Sequence, residues 1–131
     1  MTAMERQRVY SGAPWEQKAG YCRALRAGVH IYVSGTVPVG PDGEPHAVDD
    51  GYGQAKRCLE IIEAAIGELG AQRQHIVRTR MYVTDIARWE EYSRAHAEFF
   101  GEHRPASAMV EVSTLIGEAF LIEIEADAVV G

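Results

Sequence analysis

The run Phe120-Leu-Ile-Glu-Ile-Glu-Ala-Asp-Ala-Val-Val130 alternates with a period of two. That is the period of a β-strand with one buried face, and an amphipathic helix does not show it. Phe120, Ile122, Ile124, Ala126 and Ala128 fall on one side; Leu121, Glu123, Glu125 and Asp127 fall on the other. The second side stacks three carboxylates about 6–7 Å apart. Like charges in one column repel, so water, basic neighbours or a ligand must compensate. Any fold for this chain has to cover the first side and answer the second.

Other segments supply what could do both. Residues 6–12 read as a short edge strand, and residues 13–20, holding Pro14 and Gly20, as a loop that carries Trp15. An aromatic there is a lid over a pocket or a packing plug. Tyr21 to Leu25 and Val29 to Gly35 read as a hairpin turning at Ala27-Gly28. Val29, Ile31 and Val33 are expected in the core, with His30, Tyr32 and Ser34 opposite. Asp49 or Asp50 caps a helix beginning near residues 51–54 and stopped by Gly70, whose apolar side is Ala55, Leu59, Ile62, Ile66 and Leu69. Gln74 to Asp85 is the next strand, with Val77, Thr79, Met81 and Val83 on the core side and Arg78, Arg80 and Tyr82 on the other. A second helix spans Ala87 to Gly101, with a stripe of Trp89, Tyr92, His96, Phe99 and Phe100. By spacing, His96 is a boundary residue on that helix. Arg104-Pro105 breaks the helix. Strands Ala108 to Val112 and Ala119 to Val129 close the chain.

The order β-β-β-α-β-α-β-β departs from strict βα alternation and gives an α+β fold: a mixed sheet with both helices on one face. The opposite face then holds His30, Tyr32, Arg78, Arg80, Tyr82, Met109, Glu111, Leu121, Glu123, Glu125 and Asp127. Its arginines stand in register with its acids. Such a face fits against another copy's sheet, and a closed ring of copies would leave pockets at the seams.

Bulk properties narrow the function. One domain over residues 1–131 is expected from the length. A net charge of −6 and a pI near 5.3 argue against general binding to phosphate backbones. Cys22 and Cys58, without CxxC, read as reduced thiols in a cytoplasmic protein. No stretch approaches the ~18–20 apolar residues of a membrane span, and the opening MTAMERQRVYSG lacks the apolar core of a leader. The five histidines show no HxH or HExxH spacing, so no metal is expected.

Gly20-Tyr21, Val33-Ser34-Gly35-Thr36-Val37-Pro38, Val77 to Asp85, Phe99-Phe100, Arg104-Pro105-Ala106, Val110-Glu111-Val112 and Ile122 to Ala126 together resemble the RidA/YjgF family of reactive-intermediate deaminases, also labelled endoribonuclease L-PSP. The resemblance covers nearly the whole chain. It implies a chorismate-mutase-like fold, a homotrimer with sheets facing inward and pockets between subunits. It also implies hydrolysis of enamines and imines released by pyridoxal-phosphate enzymes, giving a 2-keto acid and ammonia, without a cofactor of its own. Glu123 falls where the family places the carboxylate that orients the attacking water. Tyr21, Ser34 and Gly35 fall on the pocket wall, and Ser107, Ala108 and Met109 on the segment that holds substrate.

One departure bears on substrate choice. Ser107 stands where the family carries an arginine that clamps the substrate carboxylate in bidentate fashion. Losing a charged hydrogen bond costs about 1.5–3 kcal/mol. Ser93 and His96 also depart, standing where Asn and Tyr are frequent. An imine or enamine deaminase with altered substrate choice is therefore expected. The alternatives are a metabolite-binding or regulatory trimer and, from the family label alone, an endoribonuclease. For Glu123 the plain alternative is an ion pair with Arg78 or Arg80.

Overall fold

A computed structural model describes residues 5–131. Met1 to Met4, part of the segment considered above for a leader, lie outside the described residues. The elements are β1 (Arg6–Val9), α1 (Pro14–Ala19), β2 (Ala24–Ala27), β3 (His30–Thr36), α2 (Gly51–Gly67), β4 (Ile76–Val83), α3 (Trp89–Phe100), β5 (Ala106–Glu111) and β6 (Ile122–Val129). The six strands form one sheet in the order β1-β2-β3-β6-β4-β5. Among the described residues only β4 and β5 pair in parallel. The sheet is thus mixed, as expected from the element order.

The alternation of β6 decides the layering. Ile122, Ile124 and Ala126 are wholly buried and Ala128 nearly so. They pack with Ile31 and Val33 of β3 and Met81 and Val83 of β4 beneath Ala55, Cys58, Leu59, Ile62 and Ile66 of α2. Each fully buried Ile or Leu here contributes about 1.5–3 kcal/mol. Asp50, the second of the two candidate caps, holds the start of α2 by accepting from Gly53 N at 3.0 Å. Asp49, at φ 64, instead accepts from Arg88 at 3.0 Å, and Arg88 also grips Glu91 at the start of α3. Wholly buried Gln54 ties α2 to the lead-in of β6: Nε2 donates to Ala119 O and Oε1 accepts from Leu121 N, both at 2.8 Å.

Several local expectations are corrected. Residues 14–19 are helical: Pro14 occupies the first turn, where its missing N–H is no loss, and Gly20 closes the turn at φ 76. Val29 is 48% exposed because it sits in the β2–β3 turn. A bulge in β4 places Ile76 opposite Ala128 and Arg78 opposite Asp127. The extra residue inverts the alternation, so Ile76 is buried and Val77 exposed. Trp89, at the first turn of α3, leaves the aromatic stripe and is 52% exposed. Leu121 lies outside the strand and packs against the core. Met109 and Glu111 belong to the helix-covered face, since β5 pairs Ser107 with buried Thr79 and Met109 with buried Met81. Ala106, Ala108 and Val110 take the open face.

Candidate functional site

The carboxylate column is answered unequally. Arg80 lies opposite Glu125 and reaches both Glu125, at 3.6 Å, and Asp127, at 3.3 Å. Tyr82 lies opposite Glu123, but its hydroxyl donates to Glu125 at 2.8 Å. That bond, with the neighbouring charge, pushes the Tyr82 pKa up. Among the described residues, no hydrogen bond or ion pair reaches the Glu123 carboxylate. The ion pairing that Arg78 or Arg80 offered Glu123 goes instead, through Arg80, to its two neighbours.

Glu123 rests on a second bulge. Between Val33 and Thr36 β3 takes three steps while β6 takes two, from Ala126 to Ile124. The bulge brings the bare Cα of Gly35 under the Glu123 side chain. A Cβ built on Gly35 would overlap Oε2 and lie 3.0 Å from Cδ. Only glycine leaves the carboxylate this room. Burial raises the Glu123 pKa above its usual 4.5; Arg23 opposes the rise and Glu125 adds to it.

Gly35 thus meets Glu123, and Tyr21 and Ser34 are tied to Gly35 through Arg23. Ser34 N donates to Arg23 O at 3.0 Å and its hydroxyl to Cys22 O at 2.7 Å. The Arg23 guanidinium lies 5.8 Å from the Tyr21 ring and donates to Gly35 O at 2.5 Å. Arg23 was not singled out in the sequence. The available signal was its spacing, since Tyr21 and Arg23 share one side of an extended segment.

Ser107, Ala108 and Met109 lie elsewhere within one chain. They sit on β5, the outer edge of the sheet and two strands from Glu123. Ala108, paired with Arg80, shares the face of Glu123; Ser107 and Met109 point to the helix side. Ser107 Oγ is 2.7 Å from Thr79 Oγ1, which is 2.8 Å from His96 Nε2. His96 is a boundary residue, its ring tilted against Phe100 with centroids 4.6 Å apart, and burial lowers its pKa from 6.5. Burial also raises the pKa of the Cys58 thiol, which donates to Thr36 O. A thiol held protonated there is packing and no nucleophile. Among the described residues no group of three or more His, Cys, Asp or Glu is placed to hold a metal ion, and no helix is long and apolar enough to cross a membrane.

Fold and site define a mixed α+β protein whose sheet is covered by helices on one side and carries a half-buried, unpaired carboxylate over a bulge on the other. The endoribonuclease L-PSP family model matches residues 12–130, and the chain belongs to that family, the RidA/YjgF group that its sequence resembles. It overlays a crystal structure of a Mycobacterium tuberculosis member of the YjgF/YER057c/UK114 family with a TM-score of 0.88 and 45% identity, covering 96% of this chain and 100% of that one. It is 35% identical over 108 residues to a RutC family protein of Pyrococcus abyssi, spanning 82% of this chain and 84% of that protein. It is 30% identical over 106 residues to the 3-aminoacrylate deaminase RutC of Acinetobacter baylyi, spanning 81% and 83%.

Proposed function

We propose that the protein hydrolyses an imine, enamine or related small reactive metabolite, with Glu123 as the working carboxylate, at pockets between the copies of a homotrimer. The observation that carries this reading is the state of Glu123. Its carboxylate is half-buried, raised in pKa, and free of the arginines beside it. A carboxylate of that kind can take a proton from water and return it within one reaction. Water adds to the C=N carbon as Glu123 accepts its proton. The nitrogen receives that proton, giving a carbinolamine; the hydroxyl proton then passes through Glu123 to the same nitrogen as the C–N bond breaks, and a carbonyl compound and ammonia leave. A relative named 3-aminoacrylate deaminase gives the reading further support.

The placement of the two residues supports a seam location. Within one chain Ser107 points away from Glu123, so a pocket using both draws them from two copies. Ser107 carries no charge, and its hydroxyl already has Thr79 as a partner. A substrate without a carboxylate is therefore expected. Incubation with 2-aminoacrylate generated in situ, and with an imine lacking a carboxylate, tests both points by ammonia release. Turnover of the second well above the first is expected, with Glu123→Gln slowing it roughly 10²–10⁴-fold. Brisk hydrolysis of 2-aminoacrylate would refute the altered substrate choice. Unchanged turnover in Glu123→Gln would refute the role of the carboxylate.

The engagement of Ser107 with Thr79, and through it with His96, also favours a second reading, a trimer that binds a metabolite without transforming it. Ser107→Arg separates the two: a gain of 2-aminoacrylate hydrolysis means that the remaining machinery is intact. Inertness of parent and variant towards every imine leaves the binding reading. RNA cleavage draws on the family label alone and runs against the net charge of −6.

A further inference from the structure

Two charged side chains near the site are almost withdrawn from water. Glu16 is 4% exposed and Arg23 8%. Buried ion pairs stabilise weakly at best, because desolvation offsets the attraction. The geometry here is not that of a tight pair. The nearest Arg23–Glu16 approach is 4.0 Å. Glu16 is held instead by Ser11, whose N–H donates to Oε1 at 3.0 Å and whose hydroxyl donates to Oε2. Nη2 of Arg23 makes its short contact with the carbonyl of Gly35, at 2.5 Å, and Nε has no partner. Gly35 is the residue on which the Glu123 carboxylate rests.

We propose that Arg23, braced by the buried Glu16, is a positioning residue of the Glu123 site: it holds the carbonyl of Gly35, and with it the bulge that seats the carboxylate. A lysine could supply the charge, but it lacks the planar fork that serves Gly35 O and Glu16 at once. The arrangement also explains why α1 forms. Its Glu16 reaches Ser11 on one side and Arg23 on the other, so the short helix works as a brace.

The charge of Arg23 has a second effect. Titratable groups near Glu123 are Glu125 on its own strand, Tyr82 across on β4 and Cys58 on α2, while Glu16 on α1 stands behind Arg23. None of these is cationic, and Arg80 is taken by Glu125 and Asp127. Arg23 is thus the cation that opposes burial and keeps Glu123 able to ionise.

The effect on turnover rests on the role given to Glu123 above; the placement itself can be read without any substrate. Glutamate-labelled protein is titrated by carboxyl 13C NMR, with Glu123 assigned from its loss in Glu123→Gln. In Arg23→Gln the Glu123 midpoint is expected to rise by about one pH unit, and Arg23→Lys recovers most of that shift. In Glu16→Gln, which keeps a hydrogen-bond acceptor for Ser11, the midpoint falls, because Arg23 loses an opposing anion. The opposite signs separate the charge of Arg23 from general loosening, which would move both variants alike; the Gly35 carbonyl 13C shift, expected to move in Arg23→Lys as in Arg23→Gln, reads the hold on that carbonyl. Should Arg23→Gln fail to fold, Glu16→Gln and Arg23→Lys still decide. A Glu123 midpoint unmoved in Glu16→Gln, or moved upwards, would overturn the proposal. Expected shifts in a parent protein inert towards imines would sink the hydrolase reading and leave this one standing.

Discussion

At the residue scale, Glu123 trades stability for availability. Its folded pKa lies above the usual 4.5. A raised carboxylate contributes stability that is fully present below the unfolded value and lost as pH rises through the folded one. Glu123→Gln is therefore expected to melt higher than the parent at neutral pH, with the gap closing as pH falls through the raised folded pKa and gone below 4.5. Scanning calorimetry across pH checks this; a variant less stable at neutral pH contradicts it. Gly35 makes the complementary case. Its backbone needs no unusual φ, so the cost of Gly35→Ala is steric, and the atom in the way belongs to Glu123. Gly35→Ala alone is expected to destabilise by about 1 kcal/mol, the low end for overpacking, because the displaced atom is the tip of a flexible side chain. Adding Glu123→Ala removes the obstacle. The double variant should lose clearly less than the sum of the singles, a coupling of about 0.5–3 kcal/mol in urea unfolding.

At the element scale, two bulges and one glutamine shape the site. The bulge in β3 brings Gly35 to Glu123, and the bulge in β4 shifts which side chains face water. Gln54 clamps the chain just before β6 begins and so fixes where its alternation starts. Gln54→Leu keeps the volume but strands two backbone groups. Each costs about 1–3 kcal/mol when buried without a partner. Urea unfolding should show a loss of that order per group, with the slope unchanged. A loss under about 0.5 kcal/mol, the size of an ordinary surface change, would mean that water or another donor replaces the amide.

At the scale of the whole molecule, the open sheet face is mixed in character. It pairs Arg80 with two acids, yet Tyr32 is 50% exposed and Val110 46%. Apolar groups among fixed charges suit a surface that meets another copy. Sedimentation is expected to give a particle of three chains, and Tyr32→Asp, which adds an anion opposite Asp127, to shift it towards monomers. A parent that sediments as a monomer at micromolar concentration would remove the seam pockets from the proposed function.

The strands of the sheet, its two long helices and the acidic column were legible in the sequence, because burial writes itself into periodicity. Phe120 to Ala128 could face the core in one way only, and α2 likewise. The family was legible because its motifs cover nearly the whole chain. Periodicity counts residues, however, and fails wherever a strand gains one. That is why Val77 falls on the other face; Met109 does so because β5 carries apolar or small residues on both sides, and only its pairing with β4 sets which side is covered. Nor does it see partners distant in sequence. The helix at Pro14–Ala19 depends on Glu16 meeting Ser11 and Arg23, and the freedom of Glu123 depends on Arg80 choosing its neighbours. The sequence alone determined that a carboxylate would stand at position 123 on the open face. The tertiary structure decided that it stands unpaired over Gly35, because only the folded register sets which donor reaches which acid.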